Sequence, residues 1–161
     1  MKLHVVRHAA AEPREDYDRD SDRPLTGEGR SQMARTAEAL KALGLAPSKI
    51  LTSNFVRARE TAHIVRQKLG GEVEEREELA DPDRAGDVVE LVCREAAEEL
   101  MLVGHVPELE EVISLFIADT AETTVHLSKA SCACIEFEES IAAGAGVLAW
   151  YVVPEIIKAL S

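Results

Sequence analysis

The chain has 161 residues, 46% of them hydrophobic, 30% charged and only 4% aromatic, with a formal charge of −12. That length suits one domain spanning residues 1–161 and buries roughly 70% of the surface an unfolded chain exposes, with no need of a disulfide or a metal. The acidic balance argues against nucleic-acid and anionic-lipid partners, which need net positive contact, and no apolar run approaches the ~20 residues of a membrane span.

Residues 2–6 (KLHVV) read as a short buried strand, too short for the apolar core of a signal peptide. Residues 12–23 carry nine charges in twelve positions without apolar periodicity, which predicts a solvated loop. RPLTGEG then opens a helix with Thr26 as N-cap and an apolar stripe at Met33, Ala37 and Leu40, ended by Gly44. A second strand is expected at 48–53 and a second helix at 55–69, with its stripe at Ala58, Ala62, Val65 and Leu69 and a stop at Gly70-Gly71. After a short extended piece near Val73, residues 81–99 read as a third helix starting near Asp83, and 100–104 (LMLVG) as a third strong strand. Pro107 sits in the first turn of a fourth helix. TTVHL, CACIEF and VLAWYVV read as further strands, the last two joined across AAGAG, and EIIKAL as a short closing helix. The odd cysteine count, Cys93, Cys132 and Cys134, reads as small buried apolar residues in a reducing, cytoplasmic setting.

Strands alternating with helices over the first two thirds predict an α/β fold: a mostly parallel central sheet, helices on both faces and antiparallel edge strands. Ligands of such sheets bind at the carboxyl ends of the strands. Arg7 and His8 follow the first strand, Arg57 lies in the first turn of the helix after the second, and His105 follows the third. Two guanidinium groups match phosphate oxygens in pairs, and a neutral imidazole between them can attack phosphorus. Arg57 at a helix start, where a cation is unfavourable, also points to an anionic ligand. The expected chemistry is covalent: a phosphohistidine forms at His8, and water cleaves it. The other ring nitrogen of His8 is expected to donate to a backbone carbonyl.

VVRHAAAE, RPLTGEGRSQM, ILTSNFVRARETA and LMLVGHVPEL together resemble the histidine phosphatase superfamily, and within it the short SixA-type phosphohistidine phosphatases. The resemblance covers most of the first 110 residues in order. It implies a three-layer α/β/α sandwich like that of phosphoglycerate mutase, with no metal and no cofactor. His8 would be the phosphorylated nucleophile, Arg7 and Arg57 the phosphate clamps, and His105 the residue completing the pocket. Glu78 is the positional match for the carboxylate that many members use as proton donor. Ala9 stands where most members have glycine.

Phosphohistidine is the expected substrate, carried by a histidine-phosphorylated protein, because its nitrogen leaves as imidazole and needs no strong acid. A phosphomonoesterase acting on small molecules is the alternative, and a non-catalytic phosphate-binding module a further one. A phosphoglycerate mutase is disfavoured, since the chain lacks long insertions. His4, His63 and His126 are expected to be structural.

Overall fold

The computed structural model describes residues 1–122 and 125–161. The chain forms β1 (Lys2–Arg7), α1 (Gly27–Ala42), β2 (Lys49–Thr52), α2 (Val56–Leu69), β3 (Glu72–Glu75), α3 (Ala85–Arg94), β4 (Glu99–Gly104), α4 (Glu108–Ala118), β5 (Cys132–Glu136), β6 (Val147–Val152) and α5 (Pro154–Leu160). One six-stranded sheet has the order β3-β2-β4-β1-β5-β6. Its first four strands are parallel, β5 runs against β1, and β6 runs against β5 as the edge strand.

The central strands carry apolar runs at Val5-Val6, Ile50-Leu51 and Leu100–Val103 because both faces are covered there. Alternate residues serve different cores. Val5, Leu51 and Leu102 face α3 and α4, where Val88, Val92, Leu109 and Ile113 meet them. Val6, Ile50, Met101 and Val103 face α1 and α2, where Met33, Ala37, Leu40, Ala58, Ala62 and Val65 meet them. All of these side chains are fully buried, and the result is the expected three layers.

The helices start and stop where local chemistry allows. Thr26 caps α1, its hydroxyl accepting from the Gly29 amide at 2.9 Å. Gly70 ends α2 at φ +80°, a conformation that costs glycine little. Gly29 is required by proximity: a Cβ there would run into the Ala10 carbonyl oxygen. The start of α1 therefore rests on the backbone two residues beyond His8. Ala9 is fully buried in the core beneath α1 and is not among the positive-φ residues, so alanine fits there without strain.

Several expectations need correction. The third helix spans Ala85–Arg94 only, because Glu95 turns extended and its carboxylate takes the Lys49 ammonium at 2.8 Å. Of TTVHL, residues 123 and 124 lie outside the described residues, and 125–127 form no strand. That segment instead spends its backbone on side chains: Leu127 N donates to Glu110 Oε1 at 2.8 Å. Cys132 and Cys134 are buried, but Cys93 is exposed. The charged stretch at 12–23 is not simply solvated. It holds short helical turns at Arg14–Asp16 and Asp20–Asp22 and returns along the protein through an Ala11–Leu25 bridge.

Removing the α1 cap should cost about 1 kcal/mol in Thr26→Ala. Gly29→Ala should cost more, roughly 1–3 kcal/mol from overpacking against rigid backbone. Urea unfolding checks both, and Thr26→Ala destabilising at least as much as Gly29→Ala would contradict the close approach.

Candidate active site

Parallel register brings three strand ends level. Arg7 pairs with Gly104, and Thr52 with Val103. His8 N donates to Gly104 O at 3.1 Å, and Ser53 N to Val103 O at 3.0 Å. His8, Ser53 and His105 thus leave three adjacent strands side by side. Arg57 joins them because α2 begins at Val56, one residue before it.

The tautomer of His8 is forced by its partners. Its Nδ1 lies 2.7 Å from the Ala9 carbonyl oxygen, which can only accept. Its Nε2 lies 3.2 Å from Arg57 Nε, which can only donate. The proton is therefore on Nδ1 and the lone pair on Nε2. Burial pushes the His8 pKa down to about 4, the Arg57 and Arg7 cations assisting and the Ala9 bond opposing. His8 is neutral at physiological pH, with the nitrogen that can attack directed at a guanidinium.

Arg7 is fixed from behind: Nη1 donates to Leu127 O at 2.7 Å, while its buried Nε has no partner among the described residues. Leu127 is held by Glu110, so α4 indirectly orients Arg7. His105 stands with its ring centroid 5.0 Å from that of His8 and its Nε2 2.9 Å from Ser53 Oγ. Burial, then His8 and Arg57, push its pKa down to about 3. Donation from a charged His105 thus needs the negative charge of a phosphoryl group beside it. Thr61 links the parts, its hydroxyl accepting from the Ala9 amide at 3.3 Å and donating to Arg57 O at 2.7 Å.

The other two nitrogens of Arg57 both donate to one residue. Nη1 donates to Asp20 O and Nη2 to Asp20 Oδ2, both at 2.8 Å. Arg23 holds the remaining oxygen, Oδ1, at 2.8 Å. Burial works against this carboxylate, yet the bonds and charges of Arg23 and Arg57 outweigh it and hold its pKa below the usual range. Asp20 therefore takes one N–H from each Nη of Arg57, donors that would suit phosphate oxygens.

Beside His105 lies a cavity of about 270 Å³, lined by Asp20, Phe55, Arg57, Ala80, Pro82 and Glu108 among others. Glu78 does not line it; the residue sits half-buried on the turn Glu77–Ala80, of which Ala80 reaches the cavity. Sequence reasoning found Arg7, His8, Arg57 and His105, which the fold brings together. It missed Asp20, hidden among nine charges, and Glu108, an acid at a helix start that reads as an ordinary exposed residue. Ser53 and Thr61 were visible only as motif letters. His4 is buried, bonded to Glu99 at 2.8 Å and stacked on Trp150. His63 and His126 are exposed. Among the described residues, no group of three His, Cys, Asp or Glu is placed to hold a metal ion, and no helix is long and apolar enough to cross a membrane.

Comparison with known proteins places this geometry. Residues 3–99 match the family model described as histidine phosphatase superfamily (branch 1). An uncharacterized protein of Picosynechococcus is 41% identical over 115 residues, 69% of this chain and 70% of that one. The structure of the protein histidine phosphatase SixA complexed with tungstate superposes with a TM-score of 0.84 at 25% identity, covering 98% of this chain and 99% of that one. The alpha-ribazole phosphatase of Shigella flexneri shares the fold, with a TM-score of 0.74 at 18% identity, over 92% of this chain and 96% of that one.

Because Asp20 competes for Arg57, Asp20→Asn should tighten binding of inorganic phosphate or vanadate about two- to fivefold, the range of a half-exposed ion pair. Competitive inhibition measures it. Weaker binding in the variant would mean that Asp20 serves to aim Arg57 instead.

Proposed function

The chain belongs to the histidine phosphatase superfamily, phosphatases with a histidine nucleophile, and from that premise we propose that it hydrolyses phosphohistidine in a protein through an intermediate at His8. The forced tautomer of His8 is the observation that carries this reading, since only a bare Nε2 can attack phosphorus.

Arg7 and Arg57 hold the phosphoryl oxygens, Arg57 exchanging Asp20 for them. His8 Nε2 attacks in line, and the bond from phosphorus to the substrate nitrogen breaks. Negative charge spreads over the equatorial oxygens, where the guanidinium groups and His105 donate. Water then attacks the phosphorylated His8, releasing phosphate and restoring the imidazole. Phosphohistidine suits the site because a substrate ring protonated on its other nitrogen leaves as neutral imidazole, whose conjugate acid has a pKa of about 6.5, so it needs no further proton from the enzyme. The cavity beside His105, at about 270 Å³, is smaller than the roughly 300–1,000 Å³ of pockets for drug-sized ligands. It fits a side chain better than a large metabolite. The likeness to SixA, a protein histidine phosphatase, over nearly the whole chain supports the same substrate class.

A second reading, a phosphomonoesterase for small molecules, is favoured by one observation, the carboxyl group of Glu108 in the cavity. Membership of a family of hydrolases sets the silent phosphate-binding module aside.

Release of phosphate from a phosphohistidine-bearing protein should be fast in the wild type and about a thousandfold slower or worse in His8→Ala. Turnover of phosphate esters without turnover of phosphohistidine would contradict the proposal in favour of the second reading.

A further inference from the structure

Three acidic residues fall in the first turn of α4, and they have different surroundings. Glu110 is engaged through Oε1, which accepts from Leu127 N at 2.8 Å and lies 3.1 Å from His126 Nδ1. Glu108 is 1% exposed, and its buried Oε1 has no hydrogen-bond partner among the described residues. A buried carboxyl oxygen left unsatisfied costs about 1–3 kcal/mol, more if charged. This one lines the same cavity as Arg57, which donates to His8 Nε2, and His105, whose ring centroid lies 5.0 Å from that of His8.

The geometry points to Glu108 as the proton donor to the leaving group, a role that rests on the reading of His8 as nucleophile. The cavity holds a second carboxyl group, Asp20, and the two are in opposite states. Asp20 is kept ionised by Arg23 and Arg57. Burial pushes Glu108 up to about 8, with the charges of Asp81 and Glu111 adding to it and Arg84 opposing. Two carboxyl groups with pKa values pushed apart in one cleft divide the roles of acid and anion between them. Asp20 keeps Arg23 when Arg57 turns to phosphate, and Glu108 has a proton to give.

The proton balance closes. As Nε2 bonds to phosphorus, the bond from phosphorus to the leaving atom breaks, its electron pair goes to that atom, and Glu108 supplies the proton. Water then attacks phosphorus, the Glu108 carboxylate takes the proton of the water, and the P–Nε2 bond breaks with its pair returning to nitrogen. Glu108 ends protonated for the next turnover. Imidazole as leaving group draws little on this acid; an oxygen leaving group depends on it.

The test compares wild type with Glu108→Gln on phenyl phosphate and p-nitrophenyl phosphate, alongside trapping of the phosphorylated enzyme. Glutamine keeps the shape of the neutral acid, and Glu108→Asp, which retains a proton, should recover part of the activity. General acid catalysis is worth about 10²–10⁴-fold. The loss on phenyl phosphate, the poorer leaving group, should therefore exceed the loss on p-nitrophenyl phosphate by about tenfold or more. In the wild type, kcat/KM for phenyl phosphate should fall as pH rises through about 8, where Glu108 loses its proton, and Glu108→Gln should lack that limb. Equal losses on the two esters, an unchanged alkaline limb, or a wild type unable to cleave phenyl phosphate would overturn the role of Glu108 while leaving His8 as nucleophile. Absence of a phosphorylated His8 in the wild type would instead overturn the reading of the site on which this role rests.

Discussion

The hydrogen bond from Arg57 Nε to His8 Nε2 ties the site together. It needs a lone pair on Nε2, so it excludes the proton from the nitrogen proposed to attack. With the Ala9 carbonyl holding the proton on Nδ1, the imidazole has one tautomer and one orientation. The same guanidinium adds to the burial that keeps the ring neutral. It also stands where phosphate oxygens must sit if Nε2 is to reach phosphorus. Much of the fold serves this contact: the level ends of β1, β2 and β4, the start of α2, the Thr61 hydroxyl between Ala9 and Arg57, and Gly29 seating α1 on the backbone beyond His8.

A chain with a net charge of −12 builds an anion site by concentrating cations against a low-dielectric wall. Arg7, Arg57 and Lys129 all act on His8. The surplus of acid is kept away from the phosphoryl position or put to use. Asp20 neutralises Arg57 and Arg23, and it can be exchanged because its carboxylate is 41% exposed. Glu110 is spent on the 125–128 segment that steadies Arg7. Glu108 is buried, its Oε1 without a hydrogen-bond partner among the described residues, and burial outweighs the charge of Arg84 to favour its neutral form. The carboxyl group thus appears as an exchangeable counterion, a structural acceptor and a proton reservoir, according to its surroundings.

The strands and helices that carry the site were legible because their signals are local. Alternating cores show as apolar runs, Thr26 and Gly70 as caps, and Arg7, His8, Arg57 and His105 as polar residues at the ends of those runs. What was not legible depends on long-range contact. TTVHL has β-branched letters, yet the backbone of Leu127 is claimed by Glu110 and Arg7 from elsewhere in the chain. The third helix stops early because Lys49, on a neighbouring strand, draws Glu95 out of it. Asp20 looks like one of many solvated charges until the loop folds over Arg57. Glu78 matches by position but does not line the cavity, which is reached by Ala80 and Pro82 and, from α4, by Glu108.

The central claim is the protonation of His8, and it can be observed directly by nitrogen-15 NMR of the imidazole as pH is lowered. A neutral ring with its proton on Nδ1, persisting until the pH nears 4, is the result this account predicts. A proton on Nε2, or titration at the ordinary value near 6.5, would show that Arg57 does not keep that nitrogen bare and would contradict His8 as the poised nucleophile.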